Sequence, residues 1–562
     1  MTTPDTWHSQ HLFLHSATED TDAFLLDRAA PLLDGLVAAG EAAGWFFIRY
    51  GEDGPHVRVR VRGLSPAAAT ALPGELARVA EGVPALPGPW PTRHGEVRAV
   101  PYEPETGRYG GPRALPVAEE VFEASTRAAL DTLRALPAGG GTGARLTAAA
   151  DLAHTTVHAL GMDPLTAARR LRGHAAGWRW VTEVPLLPAA SVHTRVNTVY
   201  AAQRTGLRRR ARVLRERLAA GTAEPRLLRW AAAVRRADGR LPDLGEELRA
   251  WVWGSQLHML FNRLGITPDE ERAVCRLAAR TLLEAEEEPG EGPGEGPGYF
   301  PEGHTAADFR YLERSKFQIG RGEDSELRDL PEGADRARAA GPELALPAAP
   351  LPEVPLSAVL AARTSMRGRL RGPLDAAALG SLLWHSLAES ARSEEPDPDG
   401  GPPFTLSHRP YPSAGALYTA RVRLLVFDVE GVPAGTYDCL PERRTLRPVG
   451  PAPAVADLKA LSTYLSRPDT APHWIGVDEA PAVLAVYADL GLLRRRYGLR
   501  ALRLGLLEAG HLTQTLLLTG AALGLAGTPL GGFHDDLAHE LLGLDDLEQP
   551  LQYLLPLGRR AP

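Results

Sequence analysis

Residues 286–298 read EEEPGEGPGEGPG, and this stretch divides the chain. It has no apolar residue to bury, its glycines and prolines break helices and strands, and its carboxylates repel one another. It lies near the middle of 562 residues, a length that exceeds what one hydrophobic core supports. We therefore predict two folded domains, residues 1–285 and 305–562, joined by an acidic linker at residues 286–304.

The composition is that of a globular protein, with 44% hydrophobic and 23% charged residues. The formal net charge of −7 argues against direct binding of nucleic acid. Because Cys275 and Cys439 are the only cysteines, we expect no disulfide framework and no metal centre, and we expect a cytoplasmic protein. The N-terminus lacks the features of a signal peptide, and the longest apolar stretch, residues 516–526, is too short to span a bilayer.

The first half has the pattern of an α+β domain. Strands are predicted at residues 45–50 and 56–62, with residues 51–55 as the turn between them. Helices are predicted at residues 22–36, 118–136, 145–160, 164–170, 207–218, 225–237 and 244–264.

The strand at residues 56–62 alternates valine with a basic residue, so one face packs on a core. The other face presents Arg58, Arg60 and Arg62 in a row. Aligned like charges repel, and either an anionic ligand or buried carboxylates would explain them. A solvated basic face explains this strand equally well when it is considered alone.

Two further polar groups occur in the same half. The loop at residues 102–111 carries Glu105, Arg108 and two tyrosines before a Gly-Gly turn. Residues 257–263 place His258 and Asn262 four apart on one helical face. A lone histidine in a helix is usually structural, but three polar groups in one domain indicate a site.

These motifs, in this order, resemble the glutamate-elimination domain of lantibiotic dehydratases, which occurs alone in thiopeptide biosynthesis. The resemblance covers nearly all of residues 1–285. It implies removal of glutamate from glutamylated Ser or Thr of a ribosomal precursor peptide, which leaves dehydroalanine or dehydrobutyrine. The catalytic residues that it implies are Arg58, Arg60, Glu105, Arg108 and His258.

The implied chemistry suits these side chains. Guanidiniums stabilise an enolate-like oxygen and a departing carboxylate, so Arg60 and Arg108 would clamp the substrate while His258 transfers a proton. No glutamyl-transferring domain precedes this one, so a separate tRNA-dependent glutamylating enzyme is expected as a partner. Two alternatives stay open for this half: a [4+2] pyridine synthase, which shares the fold, and an inert peptide-binding module.

The second half offers a candidate phosphate site and two turns of small residues. After a short helix at residues 309–317 and another at 356–364, Arg363 and Arg367 flank Ser365, a spacing that suits a phosphate monoester but is common at helix ends. The turns, PSAG at residues 412–415 and LGGF at 530–533, let a flat ligand approach the backbone. A strand at 422–429 follows the first turn, and a long helix at 502–524 precedes the second.

This set resembles the nitroreductase-like fold, and specifically the FMN-dependent azoline dehydrogenases of thiazole/oxazole-modified peptide pathways. The resemblance covers about residues 305–562 and implies an α+β flavin domain that forms a homodimer with FMN at the interface. The reaction implied is oxidation of thiazolines or oxazolines to azoles. The implied cofactor-binding residues are Arg363, Ser365, Arg367, Pro412, Ser413, Gly415, Gln514, Gly531, Gly532 and Arg559.

This family often uses a Lys-Tyr pair, where the present chain has Arg496 and Tyr497. An arginine stays protonated, so we expect Tyr497 to be the base or proton relay and Arg496 to support it electrostatically. A surface arginine run with a packing tyrosine is the alternative.

The order of the two halves resembles the bifunctional enzyme of lactazole-type thiopeptide pathways. No Walker loop is visible, so a separate ATP-dependent cyclodehydratase is expected. A general NAD(P)H nitroreductase remains the alternative for the second half, and a scaffold for the cyclodehydratase is the alternative for the chain as a whole.

Overall fold

The computed structural model describes residues 6–137, 141–178, 181, 184–283, 311, 341–396, 401 and 403–560. The chain divides into two compact units, Met1–Leu187 with Thr194–Glu286 and Pro188–His193 with Glu287–Pro562. The predicted linker and, except for Tyr311, the predicted helix at 309–317 lie outside the described residues, so the domain boundaries stay a prediction. Within the described ranges, no helix combines the length and apolarity that crossing a membrane requires.

The described strands of the first unit form a sheet in the order β2-β3-β1-β4. The two predicted strands are confirmed, and two further strands complete the sheet. Each neighbouring pair is antiparallel, with Ser9 opposite Arg60 and Phe46 opposite Arg60 on the other side. The strands are β1 (Trp7–Phe13), β2 (Gly44–Tyr50), β3 (His56–Arg62) and β4 (Val97–Ala99).

The alternation of valine and arginine along β3 places these two residue types on opposite faces of the sheet. Val57, Val59 and Val61 are buried among residues of the helices that cover one face. The arginines lie on the opposite face, next to an aromatic cluster that includes Phe46 and Phe122. The period-two pattern therefore gave both the strand and its orientation correctly.

The helices of the first unit largely follow the prediction. Helices α3 and α10 were not predicted, and α7 begins well before the predicted helix. Because proline disfavours the interior of a helix, Pro73 in the interior of α3 prevented the prediction of this helix. The helices are α1 (Thr18–Phe24), α2 (Ala30–Ala38, after a π turn at Leu25–Ala29), α3 (Pro66–Ala80), α4 (Leu115–Ala135), α5 (Gly141–Ala159), α6 (Pro164–Gly177), α7 (Ala189–Ala219, of which the residues before Thr194 belong to the second unit), α8 (Pro225–Asp238), α9 (Gly245–Arg263) and α10 (Pro268–Leu283).

The second unit is built on a larger mixed sheet in the order β12-β6-β15-β13-β9-β10-β11-β5, with β14 paired to β15. Its pairs are antiparallel except β12 with β6. A separate hairpin joins β7 and β8. The strands are β5 (Leu344–Ala345), β6 (Gly368–Arg371), β7 (Ala391–Glu395), β8 (Phe404–His408), β9 (Ala420–Val426), β10 (Gly435–Leu440), β11 (Thr445–Gly450), β12 (Ile475–Glu479), β13 (Ala482–Ala488), β14 (Ala526–Gly527) and β15 (Leu551–Arg560).

Helices cover both faces of the centre of this sheet, which explains why every residue of β13 is buried. One cluster joins Leu424 and Leu484 to α12 and α15, and another joins Leu425 and Val483 to α13 and α16. The α+β class is thus confirmed for both units. The helices are α11 (Leu356–Ala362), α12 (Ala376–Leu387), α13 (Val455–Ala460), α14 (Leu490–Tyr497), α15 (Ala501–Ala522) and α16 (Asp535–Leu542).

Candidate active sites

The three arginines of β3 differ in their partners. Nη2 of Arg62 lies 3.1 Å from a carboxylate oxygen of Glu123, and Nη2 of Arg58 lies 3.3 Å from one of Glu52. Arg60 forms no ion pair within the described residues, and its buried Nε has no hydrogen-bond partner there. The middle guanidinium of the row is therefore the one without a counter-charge.

Aromatic rings surround this guanidinium. Its Cζ lies 4.4 Å from the ring centre of Tyr102 and 5.5 Å from that of Phe46. Burial lowers the pKa of Arg60, although the neighbouring Tyr102 and Glu105 oppose the shift. Aromatic faces compensate a buried cation only in part, so an anionic ligand would stabilise this site further.

A second buried guanidinium, which the sequence did not indicate as a site residue, lies beside the same rings. Arg263 is completely buried, with its Cζ 5.6 Å from the ring centre of Phe46 and 5.4 Å from that of Phe122. It donates hydrogen bonds to Thr126 and to the carbonyl of Met259, and burial lowers its pKa to about 9. Arg263 adds positive potential near Arg60.

The loop at residues 102–111 brings a further arginine to this region. Nη1 of Arg108 donates to Oε2 of Glu105 at 3.0 Å, and its Nε donates to Oγ of Ser255 at 3.2 Å. Ser255 lies three residues before His258 on α9, so the two side chains share one side of that helix. The structure thus joins Arg108 to α9 one helical turn before His258, and Glu105 is bonded to Arg108.

Asn262 anchors α9 to the sheet. Its Oδ1 accepts a hydrogen bond from the backbone N–H of Arg49 at 2.9 Å, and its Nδ2 donates to the carbonyl of Arg49 at 2.8 Å. Strand β2 is an edge strand, whose outer backbone groups need such partners. Asn262 is therefore structural, and it fixes the position of His258 one turn earlier.

His258 is in turn bound to a carboxylate that the sequence analysis missed. Its Nδ1 lies 2.9 Å from Oε2 of Glu271, while Nε1 of Trp178 donates to Oε1 at 3.1 Å and Nε2 of His174 also contacts Oε1. Glu271 is completely buried. Burial opposes its ionisation, but the charge of His258 and the hydrogen bonds from both histidines outweigh this and lower its pKa. In the sequence, Glu271 reads only as part of the acidic first turn of α10.

In the second unit, a buried glutamate organises the turn that carries Pro412, Ser413 and Gly415. Glu508 is 2% exposed and accepts hydrogen bonds from Oγ of Ser413 (2.7 Å), from the backbone N–H of Ala420 (2.7 Å) and from Oγ1 of Thr419 (3.2 Å). All of these partners are donors, as an ionised carboxylate requires. The sequence around Glu508 carries no pattern that indicates this role.

The same turn contacts the two residues predicted to support proton transfer. Gly415 has φ +59°, and a Cβ there would lie 2.5 Å from Oη of Tyr497 and 3.2 Å from Cζ of Arg496. Only a glycine leaves room for this approach. On α15, Nδ1 of His511 lies 3.3 Å from the carbonyl of Pro412, and the exposed Gln514 follows one turn later. Gly415, Arg496 and Tyr497 are therefore brought together, with Gln514 nearby.

Tyr311 is the described residue of the predicted helix at 309–317. Its hydroxyl donates to the carbonyl of Leu499 (3.2 Å) and accepts from the backbone N–H of Arg503 (3.0 Å). Both partners lie just after Tyr497, between α14 and the first turn of α15. Tyr311 therefore supports the backbone that carries the Arg496–Tyr497 pair.

The candidate phosphate residues lie on segments that are joined at one end of the sheet. Ser365 forms a β-bridge with Gly527, and β14 pairs with the end of β15 next to Arg559. Nε of Arg559 donates to the carbonyl of Pro373 at 3.2 Å, and Nη1 of Arg367 donates to that of Met366 at 3.4 Å. Arg363 follows α11, and none of these arginines forms an ion pair in the part of the chain that is described. Guanidiniums without carboxylate partners beside a hydroxyl fit the phosphate of FMN.

The second turn of small residues lies on the other face of the sheet. Oγ of Ser462 donates to the carbonyl of Gly532, and a Cβ on Gly532 would lie 3.3 Å from the ring of Tyr464. Leu530 belongs to the cluster with α13 and α16, whereas Tyr418 belongs to the cluster with α12 and α15. Within one chain, Gly531 and Gly532 are thus separated from Gly415 by the sheet.

The fold and these sites define an enzyme with two α+β units. Residues 7–282 match the family described as lantibiotic biosynthesis dehydratase C-term, and residues 360–559 match the nitroreductase family. The protein MJ1384 of Methanocaldococcus jannaschii, named as a nitroreductase, is 31% identical over 213 residues, which are 37% of this chain and 92% of that protein. The chain therefore belongs to the nitroreductase family through its second unit and carries a lantibiotic dehydratase C-terminal domain in its first.

Further similarities extend to proteins of peptide modification. The microcin B17-processing protein McbC of Escherichia coli is 32% identical over 141 residues, 24% of this chain and 49% of McbC. Among solved structures, the pyridine synthase TbtD from thiomuracin biosynthesis is 21% identical and covers 49% of this chain and 97% of its own, with a TM-score of 0.37. The tRNA-dependent lantibiotic dehydratase MibB from Microbispora sp. 107891 is 22% identical, and the match covers 50% of this chain and 28% of the MibB chain, with a TM-score of 0.35.

Proposed function

We propose that the first unit eliminates glutamate from glutamylated Ser or Thr residues of a ribosomally made precursor peptide. The observation that carries this proposal is the buried guanidinium of Arg60, which forms no ion pair among the described residues and lies near the Glu105–Arg108 pair. An ester of glutamate supplies the anionic groups that such a site needs, and His258 supplies the base. The match of residues 7–282 to the lantibiotic dehydratase family supports the same reaction class.

The elimination requires one base and one stabilised oxygen. Nε2 of His258 takes the α-proton, the electrons of that C–H bond form the Cα=Cβ bond, and the Cβ–O bond breaks. Glutamate leaves with the electron pair as a carboxylate. Arg60 stabilises the negative charge that develops on the peptide carbonyl oxygen, while Arg108 binds the departing glutamate.

For the second unit, we propose FMN-dependent oxidation of azolines to azoles. Arg363, Ser365, Arg367 and Arg559 would bind the phosphate of FMN, and the turn around Gly415 would face its ring system. FMN supplies a two-electron acceptor when it is bound. Tyr497, held against Gly415 beside Arg496, then receives or relays the proton that leaves the azoline ring.

A homodimer would complete this flavin site. Leu356, Leu360, Leu506 and Leu507 on α11 and α15 are between 47% and 67% exposed, which is unusual for so many leucines on neighbouring helices. Since the turn at Gly531–Gly532 and the turn at Gly415 lie on opposite faces of the sheet, two chains would be needed to bring both to one flavin. We expect a tRNA-dependent glutamylating enzyme and an ATP-dependent cyclodehydratase as separate partners.

Both reactions are tested by mass spectrometry of one peptide that carries a glutamyl ester and an azoline, incubated with the FMN-loaded protein. Loss of glutamic acid together with two hydrogens per ring is the expected result. Oxidation without glutamate loss would move the first unit to a pyridine synthase or a peptide-binding module. Glutamate loss without oxidation, combined with rapid flavin bleaching by NAD(P)H, would make the second unit a general reductase.

A further inference from the structure

We propose that Glu271 is a positioning residue for the elimination, which fixes His258 in the tautomer whose Nε2 is free to accept a proton. This inference depends on the function proposed for the first unit. Glu271 itself lies too deep to touch a peptide, because it is completely buried between helices. Its effect on the reaction is therefore transmitted through His258.

The tautomer follows from the hydrogen bond at Nδ1. An ionised carboxylate can only accept, so Nδ1 of His258, 2.9 Å from Oε2 of Glu271, must carry the proton. A neutral imidazole with a proton on Nδ1 has a lone pair on Nε2. The lowered pKa of Glu271 is consistent with an ionised acceptor.

The other oxygen of Glu271 is held by donors from the end of α6. Nε1 of Trp178, which is a donor in every state, lies 3.1 Å from Oε1, and Nε2 of His174 contacts the same atom. The ring centre of Trp178 also lies 4.9 Å from that of His258, edge to face. Trp178 and His174 thus fix the carboxylate, and Trp178 restricts rotation of the catalytic imidazole.

This arrangement makes a specific prediction for Glu271→Gln. The indole of Trp178 requires an oxygen acceptor, so the glutamine oxygen takes the position of Oε1 and its NH2 group faces Nδ1 of His258. Nδ1 must then accept, the proton moves to Nε2, and the base is blocked. A purely structural carboxylate, which only joins α6, α9 and α10, would lower stability without changing the tautomer.

The experiment compares the wild type with Glu271→Gln and, as a matched control, Glu247→Gln, which removes the same charge at an exposed position of α9. We expect the kcat of glutamate release to fall at least about 10-fold in Glu271→Gln, because a positioned general base contributes at least that much. The reaction of His258 with diethyl pyrocarbonate should also be slower in Glu271→Gln than in the wild type. Peptide mass spectrometry measures this carbethoxylation, with the exposed His534 as the internal reference. The control should match the wild type in both measurements.

A second variant separates positioning from folding. In Glu271→Gln/Trp178→Phe the indole, which can only donate, is gone. Nε2 of His174 can accept from the glutamine NH2 group in its other tautomer, so the glutamine oxygen can turn to His258 and elimination should recover relative to Glu271→Gln. An unchanged kcat and labelling rate in Glu271→Gln, or a further loss in the double variant, would overturn the inference. Accelerated labelling of His258 would indicate unfolding and would equally count against it. A wild type that releases no glutamate would instead reject the proposed function, while the labelling rates would still report the tautomer.

Discussion

At the scale of single residues, Arg60 differs from its neighbours Arg58 and Arg62 on β3, because it forms no ion pair in the described part of the chain. We expect Arg60→Met to lower kcat/KM for glutamate release by at least about 100-fold, because it removes a preorganised cation at the developing oxyanion. Stability should be unchanged or increased, since a buried cation without an ion pair is replaced by an apolar side chain of similar length. Glutamate release and thermal unfolding measure the two effects.

Arg62→Met is the matched control for this change. It removes a guanidinium from the same strand face, but one that is paired with Glu123 at 3.1 Å. We expect nearly wild-type elimination and a loss of stability, because Glu123 is half-buried and would be left unpaired. Equal activity of Arg60→Met and the wild type would rule Arg60 out as the oxyanion residue.

A buried histidine away from the site predicts how stability depends on pH. Burial, aided by the charge of Arg215, lowers the pKa of His154 to about 4. The unfolded chain, with a histidine pKa near 6.5, then binds a proton between pH 6.5 and 4 that the folded protein does not bind, so stability falls as the pH falls through this window. We expect His154 to account for roughly 2 to 3 kcal/mol of this loss.

Denaturant unfolding at pH 7 and pH 5 tests this effect, with His154→Gln compared at both values. The substitution removes the titrating group but retains an amide that can bond to Thr281, the partner of His154. The difference in stability between the two pH values should be smaller in the variant. An identical difference in both proteins would assign the pH dependence to other groups.

Individual partners were the least predictable part of the sites. The alternation in β3 gave the row of arginines, but it did not show that Arg62 has a carboxylate and Arg60 has none, because Glu123 lies 61 residues away along the chain. Glu271 and Glu508 are buried by helices that meet only in the folded protein. A single sequence does not distinguish them from the exposed glutamates that surround them.

At the scale of elements, Glu508 of α15 holds the turn between β8 and β9 in its shape. We expect Glu508→Gln to weaken FMN binding, because an amide group would face donors such as Ser413 and Ala420 and the turn would lose a hydrogen bond. The measurement is the flavin retained per chain after dialysis, from its visible absorbance. Glu394→Gln, on the exposed hairpin strand β7, is the control and should retain flavin as the wild type does.

Elements with a strong local pattern were predicted, and those that depend on a distant partner were not. The hairpin of β2 and β3 and the long α15 follow from alternation and from length. Strand β4 has three residues and is stabilised by β1, more than 80 residues earlier, while β14 has two residues and depends on β15. Such short strands carry no periodic signal of their own.

At the scale of the whole molecule, the chain forms two compact units, and the boundaries that the composition of residues 286–298 indicates between them remain a prediction. The described hydrophobic clusters fall into two sets. Two of them lie in β1–β3 and helices α1–α10, and two join strands and helices after residue 341, with Ala189 and Ala190 of the second unit packed against one of these. Each unit should therefore keep its own reaction when the other is inactivated. His258→Ala should still oxidise azolines, and Tyr497→Phe should still release glutamate.

These two variants also test why both reactions belong to one chain. A tether raises the effective concentration of the second site for a peptide that leaves the first, typically to the millimolar range for short flexible linkers. At low enzyme concentration, a mixture of His258→Ala and Tyr497→Phe should therefore produce doubly modified peptide more slowly than the same concentration of wild-type active sites. The difference should disappear as the enzyme concentration rises. If the mixture forms doubly modified peptide as fast as the wild type at every enzyme concentration, peptides are released fully between the two reactions and the tether gives no kinetic advantage.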